Sequence, residues 1–200
     1  MGKYFSVFLN NFKEDFIVFN LVRKESNFLK YLYYPDFRTV FIFRLSTYLY
    51  NFKITRPLAY LLTMMNDLIA GVWIGPTTQI KAGLFLGNSR GLVINSTAKI
   101  GTYCSIMQNV AIGGPNVTIG DNVEINAGAS IISNARGKAS LSIGNNVIIG
   151  AGAVVIKDVP DCSVVIGVPG KIIKKITPND NWIAFRKSRN QKTMAISKDE

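Results

Sequence analysis

The chain has 200 residues, 48% of them hydrophobic, and its 23 basic and 12 acidic side chains give a net charge of +11. That is enough apolar material for one sizeable core with a smaller appended unit, and the composition argues against a largely disordered chain. It holds two cysteines, Cys104 and Cys162, and no histidine, which argues against a disulfide framework and removes the usual zinc-site partner and the Ser-His or Cys-His nucleophile.

The opening MGKYFSVFLNNFKEDF has neither the compact apolar run nor the small-residue cleavage site of a secretory signal. From Lys3 to about Val72, stretches such as VFIFRLSTYLYNF and PLAYLLTMMNDLIAGV carry charges at helix-like intervals and predict several packed helices, with Pro35 and Pro57 as starts or breaks. The apolar run from Pro57 to Ile74 is interrupted by Asn66 and Asp67 and is short for a membrane span. A soluble, cytoplasmic protein is expected.

A repeat begins at Ile74. Ile or a close substitute recurs at Ile80, Leu86, Ile94, Ile100, Ile106, Ile112, Ile119, Ile125, Ile131, Ile143, Ile149 and Val155, mostly in steps of six. A small or slender residue stands four places after most anchors, among them Thr78, Ala98, Cys104, Val110, Val123, Ala129, Val147 and Ala153. Branched plugs at this spacing, with small residues at the corners, predict a parallel β-helix: three hexads close a triangular coil, and the coils stack in parallel ladders. Roughly five such coils fit between Ile74 and Val159.

The phase breaks three times, and loops extruded from a rigid scaffold are where chemistry concentrates. The step from Leu86 to Ile94 takes eight residues, that from Ile112 to Ile119 seven, and that from Ile131 to Ile143 twelve. The last fits either a six-residue loop or an irregular hexad anchored at Gly137, and the loop is favoured. Beyond the ladder, VPDCSVVIGVPGKIIKKI predicts a turn-rich exit and NDNWIAFRKSRNQK a terminal helix that frays at its end. The last thirty residues hold eight basic and three acidic side chains. Such a tail attracts phosphates of any kind, leaving membrane association open and giving no specific nucleic-acid partner.

The hexads resemble those of the left-handed β-helix acyltransferases. YPDFRTVFIFRLSTYLY, ahead of the ladder, is similar to the helical segment that precedes the β-helix in serine acetyltransferases and capsule-biosynthesis acetyltransferases, and GAGAVVIKDVPDCSVVIGVPGKIIKKI resembles the family's closing signature. The resemblance implies a mainly β fold: a left-handed parallel β-helix of hexapeptide repeats over residues 73–170, an N-terminal α-helical segment over 1–72 and a short, basic C-terminal helix over 171–200. It also implies a homotrimer, or a dimer of trimers, that binds acetyl-CoA between neighbouring β-helices and needs no metal.

By the same resemblance, acetyl passes directly to an acceptor hydroxyl whose proton a histidine takes, in a loop reading approximately G-H-x-x-G-[IL]-V-[IV]. This chain reads GNSRGLVI, which puts Asn88 at the histidine position and Trp73 where serine acetyltransferases keep an orienting acid. An amide can hydrogen-bond a hydroxyl but cannot take its proton near neutral pH. Either a deliberate exchange of histidine or a natural loss or rewiring of the chemistry accounts for Asn88. Ser89 and Arg90, beside it, are the candidate acceptor contacts. For the cofactor, the resemblance points to Gly113 and Gly114 near the acyl group, Ala127 and Ala151 along the pantetheine arm, and Lys157 and Lys171 at the nucleotide end. Each has a plainer explanation as a β-helix corner or a solvated lysine.

The expectation that follows is an acetyl-CoA-dependent O-acetyltransferase acting on a sugar hydroxyl in surface-polysaccharide synthesis, because the short GGPNVT loop lacks an arginine for a free amino acid's carboxylate. Serine O-acetyltransferase is the alternative within the class, and a non-catalytic trimeric β-helix scaffold the alternative outside it.

Overall fold

The computed structural model describes residues 2–24, 31, 33–133, 140–184 and 186–188. Among the described residues three long helices come first: α1 (Gly2–Arg23), α2 (Pro35–Tyr50) and α3 (Arg56–Ala70). Proline in the first turn opens α2 and α3, where its missing N–H breaks no helical bond. Gly71 closes α3 at φ +62, its N–H donating to the carbonyl of Asp67, a left-handed cap that glycine adopts without steric cost. The chain then enters the first strand directly.

Among the described residues fifteen short strands follow, and all but the last lie parallel to their neighbours in three sheets. Sheet A stacks β1 (Val72–Ile74), β4 (Leu92–Ile94), β7 (Ala111–Gly113), β10 (Ser130–Ile132) and β13 (Val154–Val155). Sheet B stacks β2 (Gln79–Ile80), β5 (Lys99–Ile100), β8 (Val117–Ile119) and β11 (Leu141–Ile143), with a single bridge from Ile143 to Val159 beyond. Sheet C stacks β3 (Phe85–Gly87), β6 (Ser105–Met107), β9 (Glu124–Ile125), β12 (Ile148–Ile149) and β14 (Ser163–Ile166). The chain visits A, B and C in turn, so the body is a triangular prism of four full turns and part of a fifth, slightly fewer than the sequence suggests.

Every hexad anchor points inward and stacks on its equivalent one coil away: Ile74 on Ile94 on Ile112, Ile80 on Ile100 on Ile119, Leu86 on Ile106 on Ile125. The residues four places on are buried too, from Thr78 to Ala153. Corners need left-handed backbone, and asparagine, the non-glycine residue that tolerates it best, supplies it at Asn88, Asn109, Asn116, Asn122 and Asn146. Ile106 is fully buried. Ile106→Ala is expected to cost about 2–5 kcal/mol, read as a lower midpoint in urea denaturation.

The twelve-residue step joins neighbouring sheets. Ile131 lies in sheet A and Ile143 in sheet B, its partner being Ile119, so no hexad is inserted. Residues 134–139, Gly137 among them, where the sequence favours a loop, lie outside the described residues. At the far end, β15 (Lys171–Lys175) pairs antiparallel with β14, so the ladder's last sheet runs past residue 170, where the sequence suggests a boundary. The tail then turns back. Trp182 buries its ring against Phe85 and, with Phe19, Tyr31 and Phe37, forms a second core outside sheet C. Residues 189–200 lie outside the described residues.

Each sheet presents a different outer face. Sheet C is covered by α1, α2 and the returning tail. Sheet B shows Gln79, Lys99, Thr118 and Ser142 to solvent. Sheet A is apolar and open, with Trp73 47% and Val93 48% exposed, and α3 beside it exposes Leu61, Met64 and Leu68. Among the described residues no helix is long and apolar enough to cross a membrane.

Candidate functional site

Asn88 follows β3 at the corner where the chain passes from sheet C to sheet A, with φ +51. Its side chain lines a cleft of about 500 Å³ over the outer face of sheet C. The floor is formed by Gly87, Met107, Glu124 and Asn126, the rim by Arg23 at the end of α1 and by Trp182 and Arg186 of the returning tail. A larger cleft of about 660 Å³ lies between α1, α2 and the first coil, but its arginine, Arg44, is committed to Asp15 and to backbone carbonyls.

The charges of the Asn88 cleft are set by its walls. Arg23 Nη2 donates to Asp36 Oδ2 at 2.6 Å, and its guanidinium lies 4.7 Å from the centre of the Tyr34 ring. The other oxygen of Asp36 accepts from Ser89 N–H at 3.3 Å. Burial holds the Glu124 carboxyl above the usual carboxylate range, against the opposing pull of Arg186 and a hydrogen bond from Asn126. Asp180 is held below that range by the N–H and hydroxyl of Thr177, at 2.9 and 2.8 Å, and so is occupied in capping a short turn. Glu124 therefore takes up a proton more readily than Asp180 does.

The residues singled out from the sequence fall into groups. Ala127 and Ala151 share the edge of Asn88: Asn109 N–H donates to Arg90 C=O, Gly128 N–H to Gln108 C=O and Gly152 N–H to Ala127 C=O, each at 2.9 Å, so successive C-to-A corners stack in one column. Arg90 is exposed on that edge. Ser89 is buried, its hydroxyl donating to Thr39 Oγ1 at 3.3 Å, and it does not line the cleft; it ties the corner to α2. Gly113 ends a strand of sheet A with Gly114 just beyond it, and Lys157 follows another, so all three lie towards the A-to-B edge, apart from Asn88. A side chain on Gly114 would meet Ser133 of the next coil, whereas one on Gly113 would meet open space. Lys171 begins the edge strand β15, exposed.

Trp73 points outward from sheet A, so no carboxylate occupies the orienting position that the resemblance assigns there. Arg23, Asp36, Glu124 and Arg186 escaped the hexad count because three of them come from outside the ladder and Glu124 holds an outward strand position. Cys104 is no nucleophile: burial pushes its thiol up to about 12, and its Sγ donates to Gly120 C=O at 3.3 Å. Among the described residues no group of three Cys, Asp or Glu could hold a metal ion.

No family model matches the chain. It is 38% identical over 177 residues to the serine acetyltransferase of Synechocystis sp., covering 82% of this chain and 67% of that protein. It is 36% identical over 149 residues to that of Synechococcus elongatus, where it spans only 58% of the relative's length. Among solved structures it is similar to the Neisseria gonorrhoeae serine acetyltransferase in complex with serine, at 30% identity and TM-score 0.70, over 86% of this chain and 70% of that one. The coenzyme A complex of the Brucella abortus enzyme gives 28% identity and TM-score 0.73, over 88% and 70%.

Proposed function

We propose a function from one premise: the chain belongs to the serine acetyltransferase family of hexapeptide-repeat acyltransferases. It transfers acetyl from acetyl-CoA to the hydroxyl of serine. The hydroxyl oxygen attacks the thioester carbon, a C–O bond forms as the C–S bond breaks, and the hydroxyl proton ends on the departing thiolate. The observation that carries this reading is the match through helices, ladder and exit to serine acetyltransferases, one holding serine and one coenzyme A. It favours serine over the saccharide hydroxyl expected from the sequence.

The working unit is a homotrimer. The open apolar face of sheet A and the exposed face of α3 together form a patch of the kind that marks an interface. Three copies packed through it by cyclic symmetry would set the Asn88, Ala127 and Ala151 edge of one against the Gly113, Gly114 and Lys157 edge of the next, a cleft for acetyl-CoA that no single protomer contains. Light scattering should return three chains per particle, and a monomer would remove the shared cleft.

The absence of histidine favours a second reading, a disabled enzyme that keeps the cofactor cleft. Release of coenzyme A thiol from acetyl-CoA, measured with serine and with a panel of saccharides, tests both. Serine-dependent release supports the first reading, release with a saccharide alone transfers it to the acceptor expected from the sequence, and absence of coenzyme A binding at millimolar concentration sinks the enzymatic reading.

A further inference from the structure

The GGPNVT loop offers no arginine to a free amino acid, yet two arginines reach the Asn88 cleft from elsewhere, one at each end of the described chain. Arg23 is the better placed. Asp36 grips its Nη2 with one carboxylate oxygen and the backbone of Ser89, the residue after Asn88, with the other, so the guanidinium and the Asn88 corner are fixed to the same carboxylate. The face of Tyr34 restricts it further. Its Nε is buried with no hydrogen-bond acceptor. The side chain as a whole is 30% exposed and lines the cleft, so its outer edge is open to an acceptor oxygen that a ligand brings.

We propose that Arg23 binds the carboxylate of the acceptor and thereby makes this site select an α-amino acid over a neutral alcohol. The assignment rests on the serine reading above. Asp36 has two tasks: it balances the arginine's charge and sets its position relative to Asn88. Serine is small enough to place its carboxylate against Arg23 and its hydroxyl at the Asn88 corner. Glu124 on the cleft floor offers a carboxyl oxygen to the ammonium. Arg23 rather than Arg186 is the anion reader, because Asp36 ties it to the Asn88 corner.

The test is calorimetric titration of serine and of serinamide, which lacks the carboxylate charge, into the full-length protein loaded with coenzyme A. Because binding is measured, slow turnover does not obscure the result. In the unaltered protein serine should bind about 10- to 100-fold more tightly than serinamide, the span expected for a hydrogen bond to a charged group. In Arg23→Gln that preference should vanish through weaker serine binding, with serinamide and coenzyme A affinities unchanged; Arg23→Lys, which leaves Asp36 a cation if the glutamine variant folds poorly, should keep part of it. Equal losses for the two ligands, or an undiminished preference in both variants, would overturn the assignment of Arg23 alone. A protein that binds coenzyme A but not serine would overturn the acceptor reading and this inference with it.

Discussion

Asn88→His is expected to raise acetyl transfer from acetyl-CoA by about 10²-fold or more, the lower part of the roughly 10²- to 10⁴-fold range of a positioned general base. The backbone permits the exchange: Asn88 sits at φ +51, in the left-handed region that histidine, like asparagine, visits more readily than most side chains. The position also faces the cleft. The gain should lie low in the range because the position that would orient the imidazole holds Trp73, facing outward on sheet A, and both oxygens of Asp36 are engaged. Initial rates of thiol release should acquire a rise through about pH 6.5, the ordinary imidazole range, which the unaltered protein lacks. A folded, coenzyme A-binding variant with no gain would rule out a disabled enzyme and leave the scaffold.

The second large effect concerns stability. Arg44 and Asp15 form an ion pair at 2.7 Å with only 3% of either side chain exposed. Arg44 also donates to the carbonyls of Ile80 and Lys81 at 2.5 and 2.6 Å, and Asp15 accepts from Leu84 N–H at 2.7 Å. The pair thus ties α1 and α2 to the first coil. Arg44→Met leaves Asp15 buried without its counter-charge and two carbonyls without donors, at an expected cost of about 3–5 kcal/mol, or a Tm lower by roughly 6–20 °C for a chain of this size. Adding Asp15→Leu should recover much of the loss, since an apolar pair of similar volume often replaces a buried ion pair without penalty. Thermal denaturation followed by circular dichroism gives both values, and an unchanged single variant would show that the pair does not hold the helices down.

Most of the ladder was legible in the sequence because a coil repeats its geometry in a fixed number of residues. Ile106 and Ile125 are recognisable as neighbours from spacing alone, and they do stack. The same count taken modulo three also tells that Asn88 leaves a sheet C strand whereas Gly113 ends a sheet A strand, and hence that they lie on different edges. The second core left no such trace. Trp182 meets Phe85, which in turn packs on Phe19, and nothing periodic announces a contact between an aromatic in the tail and one in the first coil. Arg23 was hidden for the same reason: its place in the cleft depends on where α1 ends relative to the ladder. Ser89 shows the converse limit, since adjacency to Asn88 in sequence suggested a shared site, while the corner's turn sends the two side chains to different surroundings.

A pile of parallel coils is also a template, because its last rung presents the same unpaired backbone that each earlier rung offered to the next, and another molecule's first rung could in principle continue it into a fibre. The helices seal one end. At the other, β15 runs against the grain of sheet C and edges it with Lys171, Lys174 and Lys175, a reversed, positively charged strand on which no further strand of that sheet can stack in parallel and from which a like-charged copy is repelled. The closing hairpin is thus what keeps a structure built for endless stacking finite.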